Sequence, residues 1–431
     1  MKRVLKHIVE NHISLKSFFI QYKHYNNNEI TLSELLIKKP YKLQKYLGFP
    51  YKAALPLNKL LIGQQAGYPL KKWIELTNEY SRISTLIKKS PYVSYLRSDL
   101  NDESDDEDFK NTDYFIMGKT CLIYKGHFMG KTTESGIIDW MKEYKKMFFS
   151  MKTGKQYHSN EMQGLGHSKP GSWIWVKKIK QSNYYEIVDG HHRCAIHYVK
   201  GDSHINVKIA DESYSYLQET ILKSQQIHDF EYYQPLNKPE IESWKLIRNC
   251  DDRLTMMFKF LNESGIDGKS YIDLPCSYGY FLSSFKEKGF KVKGVDIDES
   301  SVKIGKIING LAADEILQCN IMDFLKKSDN QFHIVSCLSI LHHFVMGYIH
   351  HSHITLIHLL DKITKKVLFL DTGQAHEKQY AGKLEDWTDE YIIDLIKDNT
   401  GFKDVIRLGS DSDNMGNQQQ NNSRTLFACI K

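Results

Sequence analysis

The stretch from Tyr271 to Asp298, YIDLPCSYGYFLSSFKEKGFKVKGVDID, constrains the fold more than any other part of the chain. An apolar run (YIDL) enters a tight turn (PCSYGY), continues as an amphipathic segment (FLSSFKEKG) and returns as a second apolar run (KVKGVDID). Strand, turn, helix and strand in that order predict a βαβ unit, since parallel strands need a crossover that a helix supplies. The turn sits at a helix N-terminus, where free backbone N–H groups and small side chains let a ligand approach. Asp296, at the end of the second run, borders the same crevice.

The run Asp273-Leu-Pro-Cys-Ser-Tyr-Gly-Tyr-Phe281 resembles motif I of the class I S-adenosylmethionine (SAM)-dependent methyltransferases, D-x-G-C-x-x-G-x-F. The chain departs from that family in having Pro275 and Ser277 where glycine is preferred, keeping only Gly279. Downstream segments follow the family's order: helix SSVKIGKIING, strand EILQC, the turn Asn320-Ile-Met-Asp323, and strand FHIVSCLSILHHF. Helix HITLIHLLDKI, strand KKVLFLD, and a hairpin of VIRLG with RTLFACIK complete it. The resemblance covers about 242–431 and implies a Rossmann-like, seven-stranded α/β sheet with SAM as cofactor. It places Asp273, Pro275, Cys276 and Gly279 in the cofactor loop, Asp296 and Ile297 at the ribose, and Ile321 and Asp323 at the adenine. His342 and His343, just past the fourth strand, are candidate catalytic bases for a hydroxyl acceptor, with His376 and Glu377 as alternatives. For any single one of these histidines a hydrogen-bonded structural role is the commoner reading. An already ionised phosphate or carboxylate acceptor would need no base.

A second motif lies upstream. Strand WIWVKKI, strand YYEIV, the turn Asp189-Gly190-His191-His192-Arg193, helix CAIHYVKG and strand INVKI follow one another closely. D-G-H-H-R resembles the signature of the ParB/sulfiredoxin superfamily over about 173–210. That resemblance implies an α+β domain that binds a nucleotide, ATP or ADP with magnesium, and in some members transfers its phosphoryl group. Gly190 would permit the turn, and Arg193 would offer a bidentate fork to phosphate. By the resemblance, Gly190, His191 and Arg193 bind the nucleotide, and Asp189 and His192 are catalytic candidates. The plainer alternative is that the histidines hold the turn by hydrogen bonds.

The remaining sequence sets bounds. Length allows two or three domains. We read 1–100 as a helical N-terminal region punctuated by prolines, 101–235 as the ParB/sulfiredoxin-like α+β domain, and 240–431 as the methyltransferase domain. The acid run 102–108 reads as a mobile loop, the polar stretch 152–172 as a functional or disordered one, and a helix is expected over 242–263. The net charge of +6 is diffuse. Seven scattered cysteines, without paired spacing, predict reduced thiols and no metal site. No run approaches membrane-spanning length, so a cytoplasmic protein is expected, without membrane insertion.

Together these features predict a bifunctional cytoplasmic enzyme. A SAM-dependent methyltransferase would act on a small-molecule or surface-glycan acceptor, through a hydroxyl or phosphate, beside a nucleotide-binding domain with a kinase role. One alternative is a nucleic-acid-modifying methyltransferase with a ParB-like DNA-binding domain. Against it stand the lack of a concentrated basic patch and of an N/D-P-P-Y/F motif. The other is a non-catalytic SAM-binding protein, with Pro275 and Ser277 marking a lost site.

Overall fold

The computed structural model describes residues 51–63, 73, 85–152, 173–224, 230–412 and 423–431. The helices expected over 1–50 and 70–84 (Trp73 apart) and the polar loop 153–172 lie outside the described residues. The chain divides into two compact units, Met1–Ser215 and Tyr216–Lys431.

In the first unit, β1 (Tyr51–Pro56), β2 (Leu60–Ile62), β3 (Ile174–Ile179), β4 (Tyr185–Asp189) and β5 (His204–Ser213) form one mixed sheet in the order β1-β5-β3-β4-β2. Residues 51–56 and 60–62 are therefore strands, joined by a short 3-10 turn (Leu57–Lys59), where a helical region was expected. Tyr51 to Pro56 pair antiparallel with Ile209 to His204, and such long-range pairing outweighs local propensity. Among the described residues, the sheet is accompanied by helices α1 (Pro91–Arg97), α2 (Asp106–Lys110), α3 (Asp113–Lys125), α4 (Glu134–Lys152) and α5 (His191–Lys200). The acid run is a loop only in its first part, Asp102 to Asp105, and turns helical from Asp106. Asp106, Glu107 and Asp108 make up the first turn of α2, where they complement the helix dipole, and Phe109 is buried beneath them.

The second unit begins with α6 (Tyr216–Ile221) and a small parallel pair, β6 (Glu231–Tyr232) with β7 (Lys245–Leu246). The expected helix over 242–263 starts only at Asp251, as α7 (Asp251–Ser264). Then come β8 (Ser270–Asp273), α8 (Tyr280–Glu287), β9 (Lys291–Asp296), α9 (Glu299–Ile308), β10 (Ile316–Gln318), α10 (Ile321–Lys327) and β11 (Phe332–Cys337). The unit ends with α11 (Leu341–Val345), α12 (His353–Ile363), β12 (Thr364–Leu370), α13 (Asp389–Asn399), β13 (Asp404–Ser410) and β14 (Thr425–Ile430).

Its seven strands run in the order β10-β9-β8-β11-β12-β14-β13. The first five are parallel and β14 is antiparallel to both neighbours. Successive side chains alternate faces, so neighbouring apolar residues feed two cores. Ile272, Val335, Leu368 and Phe427 enter one core with α12 and α13. Tyr271, Ile334, Val367 and Leu426 enter the other with α7 and α8.

The proline-marked connector at 235–242 is not the boundary between the units. Gln218 Nε2 donates to the Glu240 carbonyl at 2.8 Å, Ser224 Oγ to Asp298 Oδ2 at 2.8 Å, and the Tyr280 amide to Gln234 Oε1 at 3.2 Å. These bonds fasten the connector to the second unit. All seven cysteines are free thiols, six of them buried. Among the described residues, no helix is long and apolar enough to cross a membrane.

Candidate functional site

A cavity of about 340 Å³ opens at the carboxyl ends of the second unit's strands, the position where an open α/β sheet binds its ligands. Asp273, Pro275 and Ser277 line it from the loop after β8, Asp296 from the end of β9, and Leu338, Ser339, Ile340, His342 and His343 from beyond β11. Tyr233, Gln234, Arg248 and Cys250 line it from the segment that leads into α7, and Arg253 from the first turn of that helix. Phe281, Tyr380 and Arg424 complete the wall.

The loop shows how the chain manages without its usual glycines. Ser277 itself takes the left-handed conformation, with φ of 48°, a region that favours glycine. Asp296 holds it there: Oδ2 accepts the Ser277 amide at 2.7 Å, while Oδ1 accepts the Asp298 amide at 2.9 Å. Gly279 follows with φ of 74° and N-caps α8. A Cβ there would meet Leu311 Cδ1 at 2.4 Å, so this glycine serves close packing.

Asp273 is buried, and desolvation pushes its carboxyl up to about 7. Oδ1 accepts from Ser336 Oγ at 2.5 Å, but Oδ2 has no partner. Ser277 Oγ is likewise buried without a partner. A buried polar atom left unsatisfied costs on the order of 1–3 kcal/mol, so two of them on one cavity wall point to a ligand that completes them.

Other predicted residues fall elsewhere. Cys276 is fully buried, its Sγ packed where a side chain at Gly294 would stand. Ile297 is 62% exposed and Asp323 is exposed, and neither lines the cavity. Ile321 is buried at the start of α10, which Asn320 caps by accepting the Met322 amide at 2.9 Å.

His342 is not a base. Its Nδ1 accepts the Gly373 amide at 3.1 Å, so the neutral ring carries its proton on Nε2 and can only donate. Desolvation first, then Arg424, lowers its pKa to about 2. Desolvation and Arg424 also lower His343, which lines the cavity and remains the candidate base. Glu377 is bound by Arg424, from Nε at 2.9 Å and from a terminal nitrogen at 3.0 Å, and is corrected to a structural role. His376 Nε2 donates to the Ser423 carbonyl at 2.7 Å, away from the cavity lining.

Sequence reasoning missed the arginines. Arg253 pairs with Asp371 at 2.9 Å, and Asp371 also accepts the Ser339 amide at 2.6 Å. Arg248 and Arg253 stand five residues apart at the entry to α7 and Arg424 lies at the far end of the chain, so only the folded sheet edge brings the three together.

The D-G-H-H-R turn of the first unit is built differently. Gly190 has φ of 101° and caps α5, which starts at His191 rather than near Cys194. His192 Nε2 meets the Tyr114 hydroxyl at 2.6 Å, and its ring packs edge-on to Tyr92, Trp140 and Tyr144. Burial lowers its pKa to about 3. His192 is thus buried among four rings, where a catalytic residue was expected. His191 stacks on Tyr92, its pKa lowered by burial to about 4. Arg193 reaches back to Asp189 at 3.3 Å.

Against known proteins, residues 272–355 match the model of a methyltransferase domain. The second unit carries a class I SAM-dependent methyltransferase domain. Ubiquinone biosynthesis O-methyltransferases of Pseudomonas aeruginosa and Pseudomonas paraeruginosa are 28% identical over 148 residues, 33% of this chain and 61% of theirs. The chain thus spans about three fifths of the curated relatives it matches. Among solved structures, the bifunctional kinase-methyltransferase WbdD overlays with a TM-score of 0.39 at 18% identity, covering 50% of this chain and 46% of that one. Magnesium protoporphyrin IX methyltransferase from Synechocystis PCC 6803 with bound SAM gives 0.31 at 19% identity, covering 42% and 79%.

Proposed function

We propose that the second unit transfers a methyl group from SAM to the hydroxyl or phosphate of a small molecule or glycan. The observation that carries this is the cavity at the ends of β8 and β9, lined by the unpartnered Asp273 Oδ2 and Ser277 Oγ. When bound, SAM supplies a methyl group on a cationic sulfur. Asp273, Ser277 and Asp296 would hold it, with Pro275 closing the loop beneath. The chain's own contribution is alignment and exclusion of water, which methyl transfer chiefly requires. For a hydroxyl acceptor His343 would take the proton, and His342 would donate a hydrogen bond from Nε2.

For the first unit we propose nucleotide binding at Gly190 to Arg193, with a kinase role for a ParB/sulfiredoxin-like domain. Its support is local: a strand running into a left-handed glycine at a helix N-terminus, with an arginine in the first turn. His191 Nε2 is buried there without a partner. Cytoplasmic location and a small-molecule partner belong to the same reading.

The test incubates the full chain with methyl-labelled SAM and with γ-labelled ATP and magnesium, against sugars and their phosphates. Methyl incorporation supports the first proposal and phosphoryl incorporation the second. SAM that binds without any incorporation would favour a non-catalytic binding protein.

A further inference from the structure

Three arginines share one wall of the cavity, and their counter-ions stand behind them. Arg248, Arg253 and Arg424 are at most 2% exposed, yet all three line the cavity. Asp371 holds Arg253 at 2.9 Å and Glu377 holds Arg424 at 2.9 Å. Asp411 Oδ2 lies 3.8 Å from Arg253 and 3.9 Å from Arg248. None of these carboxylates lines the cavity. The acids that do, Asp273 and Asp296, end β8 and β9. The arginine network is anchored beyond β12, at the end of β13 and at the start of β14, on the other half of the sheet.

The neighbours of the arginines are donors as well. Tyr380 accepts from Arg424 at 2.9 Å through its oxygen, which leaves its own proton to give, and His342 keeps a proton on Nε2. A purely structural ion network would gain nothing by lining a cavity, since well-packed apolar residues hold a core as firmly. Guanidinium groups cannot accept a hydrogen bond, and their planar fork matches carboxylate and phosphate oxygens.

We propose that this end of the cavity binds the methyl acceptor through an anionic oxygen group, a carboxylate or a phosphate, held by Arg248, Arg253 and Arg424. The inference rests on the methyltransferase reading and narrows it. An ionised oxygen is already a nucleophile and needs no base, which suits a wall whose buried histidine holds its proton.

The test uses calorimetry on the full chain, with S-adenosylhomocysteine as the cofactor probe and benzoate, phenyl phosphate and benzamide as acceptor probes. With S-adenosylhomocysteine saturating, benzoate or phenyl phosphate should bind about tenfold or more tighter than benzamide, the effect of a charge-assisted hydrogen bond. Which of the two anions binds assigns the class. Arg248→Met should remove that preference. Should that variant misfold, the wild-type comparison decides alone.

Equal binding of benzamide and benzoate overturns the proposal, as does no binding of any anion. Anion binding that S-adenosylhomocysteine abolishes overturns it too, because the arginines would then serve the cofactor's own carboxylate. A wild type that fails to bind S-adenosylhomocysteine counts against the methyltransferase reading. The anion-against-benzamide comparison would still stand on its own.

Discussion

The chain builds a strand, a left-handed turn and a helix twice, once in each unit, to different ends. In the first unit, β4 passes through Gly190 into α5, and the first helical residues disappear under Tyr92, Tyr114, Trp140 and Tyr144. In the second, β8 passes through Ser277 and Gly279 into α8, and the turn opens on a cavity with two unpartnered buried oxygens. The local grammar is shared; the surroundings decide what it does. Rings enclose both histidines of the first turn and leave His191 Nε2 without a partner, whereas the second turn opens Asp273 Oδ2 and Ser277 Oγ onto a cavity.

The comparison is easiest to break at its largest energies. Arg424→Leu leaves the Glu377 carboxylate buried without its bidentate partner, and should destabilise the second unit by about 3–5 kcal/mol. Chemical denaturation followed domain by domain by hydrogen exchange would show this, with the first unit's protection unchanged. Tyr114→Phe is the matching lesion in the first unit. It strips a partner from His192 Nε2 and another from Trp140 Nε1, which lies 2.9 Å from the same hydroxyl. The expected cost is about 1–3 kcal/mol, with SAM affinity unaltered. A loss of SAM affinity there would dissolve the division of roles.

Acid should separate the two turns more gently. His191 and His192 have folded pKa values lowered to about 4 and about 3, below the unfolded value of about 6.5. The unfolded chain therefore binds more protons in this window, and the stabilisation present above pH 6.5 is lost as pH falls toward 3. Asp273 works in reverse. Its carboxyl is raised to about 7, so its contribution favours the fold at low pH and is lost as pH rises through 7. Hydrogen exchange between pH 7 and pH 4 should show the α5 amides losing protection faster than those of β8.

Much of this was legible in the sequence. The apolar runs of β8, β9, β11 and β12 and the hairpin of β13 and β14 were readable because each carries its own burial pattern. Asp273, Pro275 and Asp296, which the resemblance to the methyltransferase motif set in the cofactor crevice, do line the cavity. Strands β1 and β2 were not legible, since β1 gains its partner only from β5, about 150 residues later. The acid run misled because its charge hid Phe109, the one residue that anchors α2. The arginines carried no signal, since a pair spaced by five residues and a third about 170 residues later make no motif. Asp296 was read as a ligand contact. In the fold it pins Ser277, a duty invisible until the turn's left-handed conformation is seen.

The central claim, that the second turn holds its polar groups in reserve for SAM, is tested most directly by titrating SAM into the wild-type chain and into Asp273→Asn while measuring the stability of both. The variant keeps the shape but exchanges a buried carboxyl for a neutral amide. The account predicts SAM binding weaker by about 1.5–3 kcal/mol, the worth of a hydrogen bond to a charged group, with stability unchanged or raised. Unchanged affinity in a folded variant, or stability that falls in step with affinity, would contradict it.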